Sequence, residues 1–253
     1  MNAPEIIGRT IWEGYDRTDF LLNEHPGHII HPKKPLPGNP WVWRAEFFGA
    51  FDTADRALLA KGWHIAYYKL SDMYGCPEAV EQMKLFHDAA AEHFSLDPKA
   101  DLFGFSRGGL YSVNYAASYP EDISVLYLDA PVLDIRSWPG GLGDGVGAPK
   151  QWEECLGWYR LSEEEARSFD RNPLDRIPEL IAGNIPIMLV AGGADSVVPY
   201  HENGMILHKE YTMRGGRIRT IVKPDCEHHP HSLEDPAPIV EMIEQTRLER
   251  LSR

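Results

Sequence analysis

The sequence predicts an α/β fold, a mostly parallel β-sheet flanked by helices. Three observations carry that reading. Short β-branched or aromatic runs alternate with helix-period segments along most of the chain. A serine lies among glycines (GFSRGG, 104–109) where one such run gives way to a helical stretch. A single long segment, 131–183, interrupts the alternation after a strand end.

The elements follow in order. Runs at 19–22, 28–31, 64–70, 101–105, 124–128, 185–191 and 218–222 read as strands, and the first two sit close enough to form an antiparallel pair at the sheet edge. Segments 48–61, 78–94, 108–118, 202–213 and 238–251 read as helices. Asn39-Pro40 has the form of a helix N-cap followed by proline at the first helical position, so helical backbone is expected from Trp41. Segment 131–183 is rich in Gly and Pro and then polar and helical. It is expected to be a lid or cap inserted in a single domain spanning 1–253, because loops at strand C-termini frame the site in such sheets.

Composition excludes several classes. The 253 residues carry 25 Lys+Arg against 38 Asp+Glu, a formal charge of −13, with no basic stripe. That balance argues against nucleic acid or an anionic membrane as partner. The 3 cysteines, Cys76, Cys155 and Cys226, are scattered and lack CxxC spacing, so neither a disulfide framework nor a zinc site is expected. The first residues have early acids and no apolar run, and no stretch approaches the roughly 20 apolar residues of a membrane span, so a cytoplasmic location is expected. Nothing in the sequence sets an oligomeric state.

The serine has a physical reason for its place. A tight strand-to-helix turn pushes a nucleophile out above the sheet's C-terminal edge and requires small neighbours, here Gly104 and Gly108, with Gly109 giving clearance for the helix. The backbone N–H of Arg107, at a helix N-terminus, faces the same space and can hold a developing oxyanion. A serine also needs a histidine to take its proton and a carboxylate to orient that histidine. Asp195 follows the strand at 185–191 within GGADSVVP, and His228, His229 and His231 follow the strand at 218–222 within KPDCEHHPHSLEDP. The chain order is therefore Ser106, Asp195, His.

These motifs make the chain resemble the α/β-hydrolase superfamily from about residue 19 to the C-terminus. GFSRGG resembles its nucleophile elbow, GGADSVVP the acid loop G-x-x-D-x-x-V-P, and DCEHHPHSLEDP the histidine loop leading into the last helix. The resemblance implies serine-hydrolase chemistry. Laying Cys226-Glu227-His228 over the family's G-x-G-H puts His228 at the base position, with His229 and His231 as alternatives. Asp195 is the favoured acid. Asp129, which follows another strand, is the alternative acid, and Asp72 is a weaker candidate for the site wall. An H-x-x-H cluster in a loop without a third ligand does not suggest metal, and no cofactor is expected.

The family's early HG loop is missing from HIIHPKKPLPGNPWVWRAEFFG, so the second oxyanion donor is assigned to the Trp41 N–H. GNP followed by Trp and Arg faintly resembles haloalkane dehalogenases, but those use an aspartate nucleophile where Ser106 stands. Trp43, Arg44, Trp138 and His229 are the expected substrate contacts, the tryptophans as stacking platforms and arginine as a carboxylate grip. The expectation is a serine-dependent carboxylic-ester hydrolase acting on a small-molecule ester, with an acylated or methyl-esterified carbohydrate favoured. A peptidase, C–C hydrolase or acyltransferase would use the same triad, and a non-catalytic binding protein would keep only the fold.

Overall fold

The computed structural model describes residues 3–252. Nine strands form one sheet in the order β1-β2-β3-β5-β4-β6-β7-β8-β9. The strands β1 (Glu5–Trp12), β2 (Tyr15–Leu22) and β3 (His25–His31) are antiparallel, and β3 pairs antiparallel with β5 (His64–Tyr68). From there β4 (Trp41–Arg44), β6 (Ala100–Phe105), β7 (Ile123–Asp129), β8 (Ile187–Gly192) and β9 (Ile218–Lys223) run parallel. The expected edge pair is present as β2 and β3, with β1 outside it.

Helices cover both faces because the central strands are apolar on both sides, as parallel strands must be. Side chains alternate by strand period. Trp41, Trp43, Leu102, Leu126, Leu128, Ile187 and Leu189 face one core with α2 (Pro77–His93), α3 (Gly108–Ser118) and α7 (Gly204–Met213). Val42, Phe103, Phe105, Val125, Tyr127, Met188 and Val190 face the other, under α1 (Thr53–Ala60) and α8 (Ala237–Leu251). No described helix is long and apolar enough to cross a membrane.

One element differs from expectation. Residues 41–44 are not helical but form the central strand β4, fully buried between β5 and β6. The run Trp-Val-Trp-Arg supplies an apolar side chain to each face in turn, and burial in the middle of the sheet outweighs the local Asn-Pro signal. Helix α1 therefore begins later than expected, at Thr53.

Segment 131–183 carries α4 (Pro149–Tyr159), α5 (Glu163–Arg167) and α6 (Ile177–Ala182). Helix α6 packs on α3 and α7 and belongs to the layer that covers the sheet. The rest forms the excursion. Asn203 and Glu202 anchor its first part: Asn203 accepts from the Leu133 N–H and donates to Ser137 Oγ, and Glu202 accepts from the Ser137 hydroxyl and the Asp144 N–H.

The β6–α3 junction leaves no room for a side chain at residue 104. A Cβ on Gly104 would lie 2.1 Å from Ser112 Oγ and 2.9 Å from the Gly108 carbonyl oxygen. Gly104→Ala is expected to cost about 1–3 kcal/mol through overpacking, read as a lower urea midpoint at unchanged m-value.

His28 and His64 are buried in the sheet, and burial is the main cause that lowers each to a pKa of about 4. Both titrate near 6.5 in the unfolded chain, which then binds protons that the folded protein refuses. Their contribution to stability is complete above pH 6.5 and is lost as pH falls towards 4. Urea midpoints measured across that window should fall with pH, with a shallower slope in a His28→Gln/His64→Gln double variant.

Candidate active site

The parallel strands deliver their C-terminal ends to one edge, and the chemistry-bearing residues lie in the loops just beyond. Ser106 follows β6, Asp129 ends β7, Asp195 follows β8 and His228 follows β9. Ser106 sits at φ 49°, a left-handed conformation that side-chain-bearing residues rarely adopt. Three backbone bonds hold it there. Its N–H donates to the Asp129 carbonyl, and its own carbonyl accepts from the Gly109 and Val132 N–H groups, all at 2.9 Å.

Ser106 Oγ is 2.9 Å from His228 Nε2. His228 Nδ1 is 2.7 Å from Asp195 Oδ2. The other Asp195 oxygen accepts the N–H groups of Val197 and Val198 at 2.9 and 2.8 Å, which fixes the carboxylate's orientation. The acid and histidine loops are in direct contact: the Ala194 N–H donates to the Cys226 carbonyl. Gly192 permits this approach, since a Cβ there would lie 2.4 Å from the carbonyl oxygens of Cys226 and Glu227. Ser106, Asp195 and His228 thus form a connected chain of hydrogen bonds, with Asp195 and His228 buried and the serine half-buried.

The alternative acid and base form a second pair. His231 Nδ1 is 2.8 Å from Asp129 Oδ1, and Asp129 Oδ2 accepts from the Ser232 N–H and the Tyr127 hydroxyl, each at 2.8 Å. This buried carboxylate clamps the histidine loop to the end of β7. His229 is exposed, with its ring stacked on Phe51. Its pKa is lowered by partial burial and by the neighbouring His231 and His228.

The Arg107 N–H lies at the start of α3, next to Ser106. Its side chain does not project into open space. It donates to Glu46 and Asp72 at 2.7 Å each, and Phe47 and Tyr74 flank the guanidinium. Glu46 is almost fully buried, and burial pushes its carboxyl up although the Arg107 guanidinium offsets part of that push. The Arg107–Glu46 pair ties the loop after β4 to the serine turn.

Several expected residues lie elsewhere. Trp41 is in the core at the N-terminal end of β4, the wrong end of the sheet for an oxyanion donor. Its indole donates to the Asp97 carbonyl, and its ring stacks on Trp43. Trp43 is likewise packed among Trp41, Phe86 and Tyr115. Arg44 is fully buried beneath the site. It pairs with Asp55, donates to the carbonyls of Phe47 and Ala50, and lies 3.9 Å from the Phe105 ring centroid. Of the expected substrate contacts, His229 stands beside His228, the rings 4.9 Å apart, while Trp138 packs against the buried Tyr74. The carbohydrate expectation rests on Trp43, Trp138 and Arg44, and with Trp43 and Arg44 buried in the core it loses most of that basis. The backbone of 45–47, which passes the N-terminus of α3 with Glu46 N 3.8 Å from where a Gly108 Cβ would sit, was not singled out in the sequence because it lacks the HG spelling.

The sheet order and the Ser106-His228-Asp195 geometry define an α/β-hydrolase fold with a serine at its strand-to-helix elbow. Comparisons with known proteins agree on the fold. The chain superimposes on dipeptidyl peptidase 4 of Porphyromonas gingivalis (TM-score 0.65, 14% identity, 88% of this chain and 33% of that one). It also superimposes on a puromycin-hydrolysing peptidase of Mycobacterium tuberculosis (0.65, 14%, 87% and 36%). An S-formylglutathione hydrolase of Agrobacterium tumefaciens matches over 98% of this chain and 99% of its own, at TM-score 0.61 and 15% identity. Among curated proteins, the acylamino-acid-releasing enzyme of Sus scrofa is 26% identical over 144 residues, 54% of this chain but only 18% of the relative. No protein-family model matches.

Trp41→Phe removes the indole bond to Asp97 without touching the serine turn. It is expected to cost about 1 kcal/mol of stability in urea unfolding, while labelling of Ser106 by a fluorophosphonate proceeds at the wild-type rate.

Proposed function

We propose that the protein is a serine hydrolase that cleaves carboxylic esters through an acyl-enzyme on Ser106. The observation that carries this reading is the Ser106 Oγ–His228 Nε2–Asp195 connection, 2.9 and 2.7 Å, on a left-handed strand-to-helix turn. Ser106 Oγ attacks the acyl carbon while its proton passes to His228 Nε2. Asp195, fixed by two backbone N–H groups, holds the imidazole with Nε2 towards the serine and stabilises the imidazolium. The tetrahedral oxyanion is held by the Arg107 N–H and by a peptide N–H of the loop at 45–47. His228 returns the proton to the leaving alcohol, and water then releases the acyl group by the same steps in reverse roles. The Arg107 side chain serves to hold the 45–47 loop through Glu46, so substrate recognition falls to the exposed rings beside it and beside the histidine loop, Phe47 and Phe51, which favour an apolar or aromatic acyl group. No metal or organic cofactor enters these steps.

A second reading is favoured by the names of the similar proteins, which include two peptidases and an acylamino-acid-releasing enzyme. The same triad would then cleave an amide, with His228 protonating the leaving amine.

The test is turnover of p-nitrophenyl acetate and butyrate beside aminoacyl p-nitroanilides. Ser106→Ala is expected to lose at least about 10⁴-fold in kcat and Asp195→Asn a similar factor, with fluorophosphonate labelling of wild type mapped to Ser106 by mass spectrometry. Ester turnover without anilide turnover supports the first reading, and the reverse supports the second. Full activity in Ser106→Ala would overturn both.

A further inference from the structure

The histidine loop brings together more than the triad base. The rings of His228, His229 and His231 stand 4.8–4.9 Å apart, centroid to centroid, in every pairing. Each offers a ring nitrogen, and these nitrogens lie within 4.8 Å of one another. The sequence pattern did not suggest a metal because it showed no third ligand; the fold of the loop supplies one.

The outer partners are those that metal-binding imidazoles require. A metal-ligating histidine donates its other ring N–H to a carboxylate or carbonyl, which fixes the ring and raises its basicity. His228 Nδ1 is held by Asp195 at 2.7 Å and His231 Nδ1 by Asp129 at 2.8 Å, and both carboxylates are buried. Each ring is thereby left with Nε2 for a cation. His229 is exposed and only stacked on Phe51, so it is the ring able to swing in. A tetrahedral zinc at about 2.0–2.1 Å from each nitrogen needs them about 3.3 Å apart, so His229 must swing in and the His228 and His231 rings must also close on the cation. Three neutral nitrogen donors match zinc, nickel or copper and not magnesium or calcium.

We propose that His228, His229 and His231 form a zinc-type cation site whose occupancy switches the hydrolase off. The binding rests on this cluster alone; the inhibition rests on the proposed role of His228. Zinc takes the His228 Nε2 lone pair that accepts the serine proton, so Ser106, 2.9 Å away, loses its base. The fourth coordination position, beside Ser106, is left to water.

Two readouts test the proposal. Chelator-treated protein competes for Zn²⁺ against a chromophoric chelator, and each variant's ester hydrolysis is followed as a fraction of its own zinc-free rate. Wild type is expected to bind one Zn²⁺ tightly and to lose turnover and fluorophosphonate labelling together, with both restored by EDTA and neither lost in Mg²⁺. His229→Ala should weaken binding and raise the half-inhibitory zinc concentration at least tenfold. His201→Ala, in the exposed Asp144–His201–Glu202 group, should change neither. Equal zinc binding by wild type and His229→Ala overturns the site. Tight binding with undiminished labelling of Ser106 overturns the inhibition and leaves the site. Wild type that binds zinc but never turns over an ester or an amide counts against the proposed function and not against the cluster.

Discussion

The site depends on one backbone constraint, the left-handed turn at Ser106. A non-glycine residue at φ 49° costs on the order of 1–3 kcal/mol and persists only where its surroundings hold it. Here the hold comes from β7 and the loop after it. The Asp129 carbonyl receives the Ser106 N–H, and the Val132 N–H reaches back to the Ser106 carbonyl. The strand next to β6 therefore sets the position of the serine, and the same Asp129 uses its side chain to clamp the histidine loop through His231 and Ser232. One residue at the end of β7 thus constrains both the serine turn and the loop that carries His228. A side chain at Gly104 would break the arrangement from the other side, by driving α3 away from β6.

The two carboxylate–imidazole pairs look alike in isolation. Distance to the serine separates them. His228 Nε2 lies within hydrogen-bond reach of Ser106 Oγ, whereas Asp129 holds His231 by one oxygen and spends the other on Tyr127 and Ser232. The other Asp195 oxygen accepts from the amides of Val197 and Val198, which fix the carboxylate towards His228.

The elbow, the order Ser106–Asp195–His228 and the parallel sheet were legible because each depends on local chemistry: glycines at a tight turn, an acid after a strand, a histidine before the last helix. Strand β4 was not. Four residues are too short for a period to declare itself, and Asn39-Pro40 carries a cap signal that the centre of the sheet overrides. The error at β4 spread. Once 41–44 were read as helix beginning at a site loop, Trp41, Trp43 and Arg44 looked like pocket residues. The strand instead sends both tryptophans under α2 and α3, and sends Arg44 towards α1, where Asp55 and two carbonyls satisfy it. Trp and Arg are poor witnesses on their own, since each is equally at home in a core with a partner and at a binding surface. Their strand address decides, and that address is a long-range property.

Sequence shows three histidines within four positions, and only one is needed to take a proton. What a loop does with the other two depends on what lies beneath it. Asp129 lies there, and it captures His231, so the loop is pinned at two carboxylates, Asp129 at the end of β7 and Asp195 in the loop after the neighbouring β8. Pinning at two points aligns two imidazoles as closely as a proton relay requires, and close alignment of imidazoles backed by carboxylates is also what a soft cation selects. The precision that sets His228 against Ser106 therefore also suits the proposed cation site once the third ring comes in. His229 is held only by stacking on Phe51, a contact weak enough for a metal–nitrogen bond to displace.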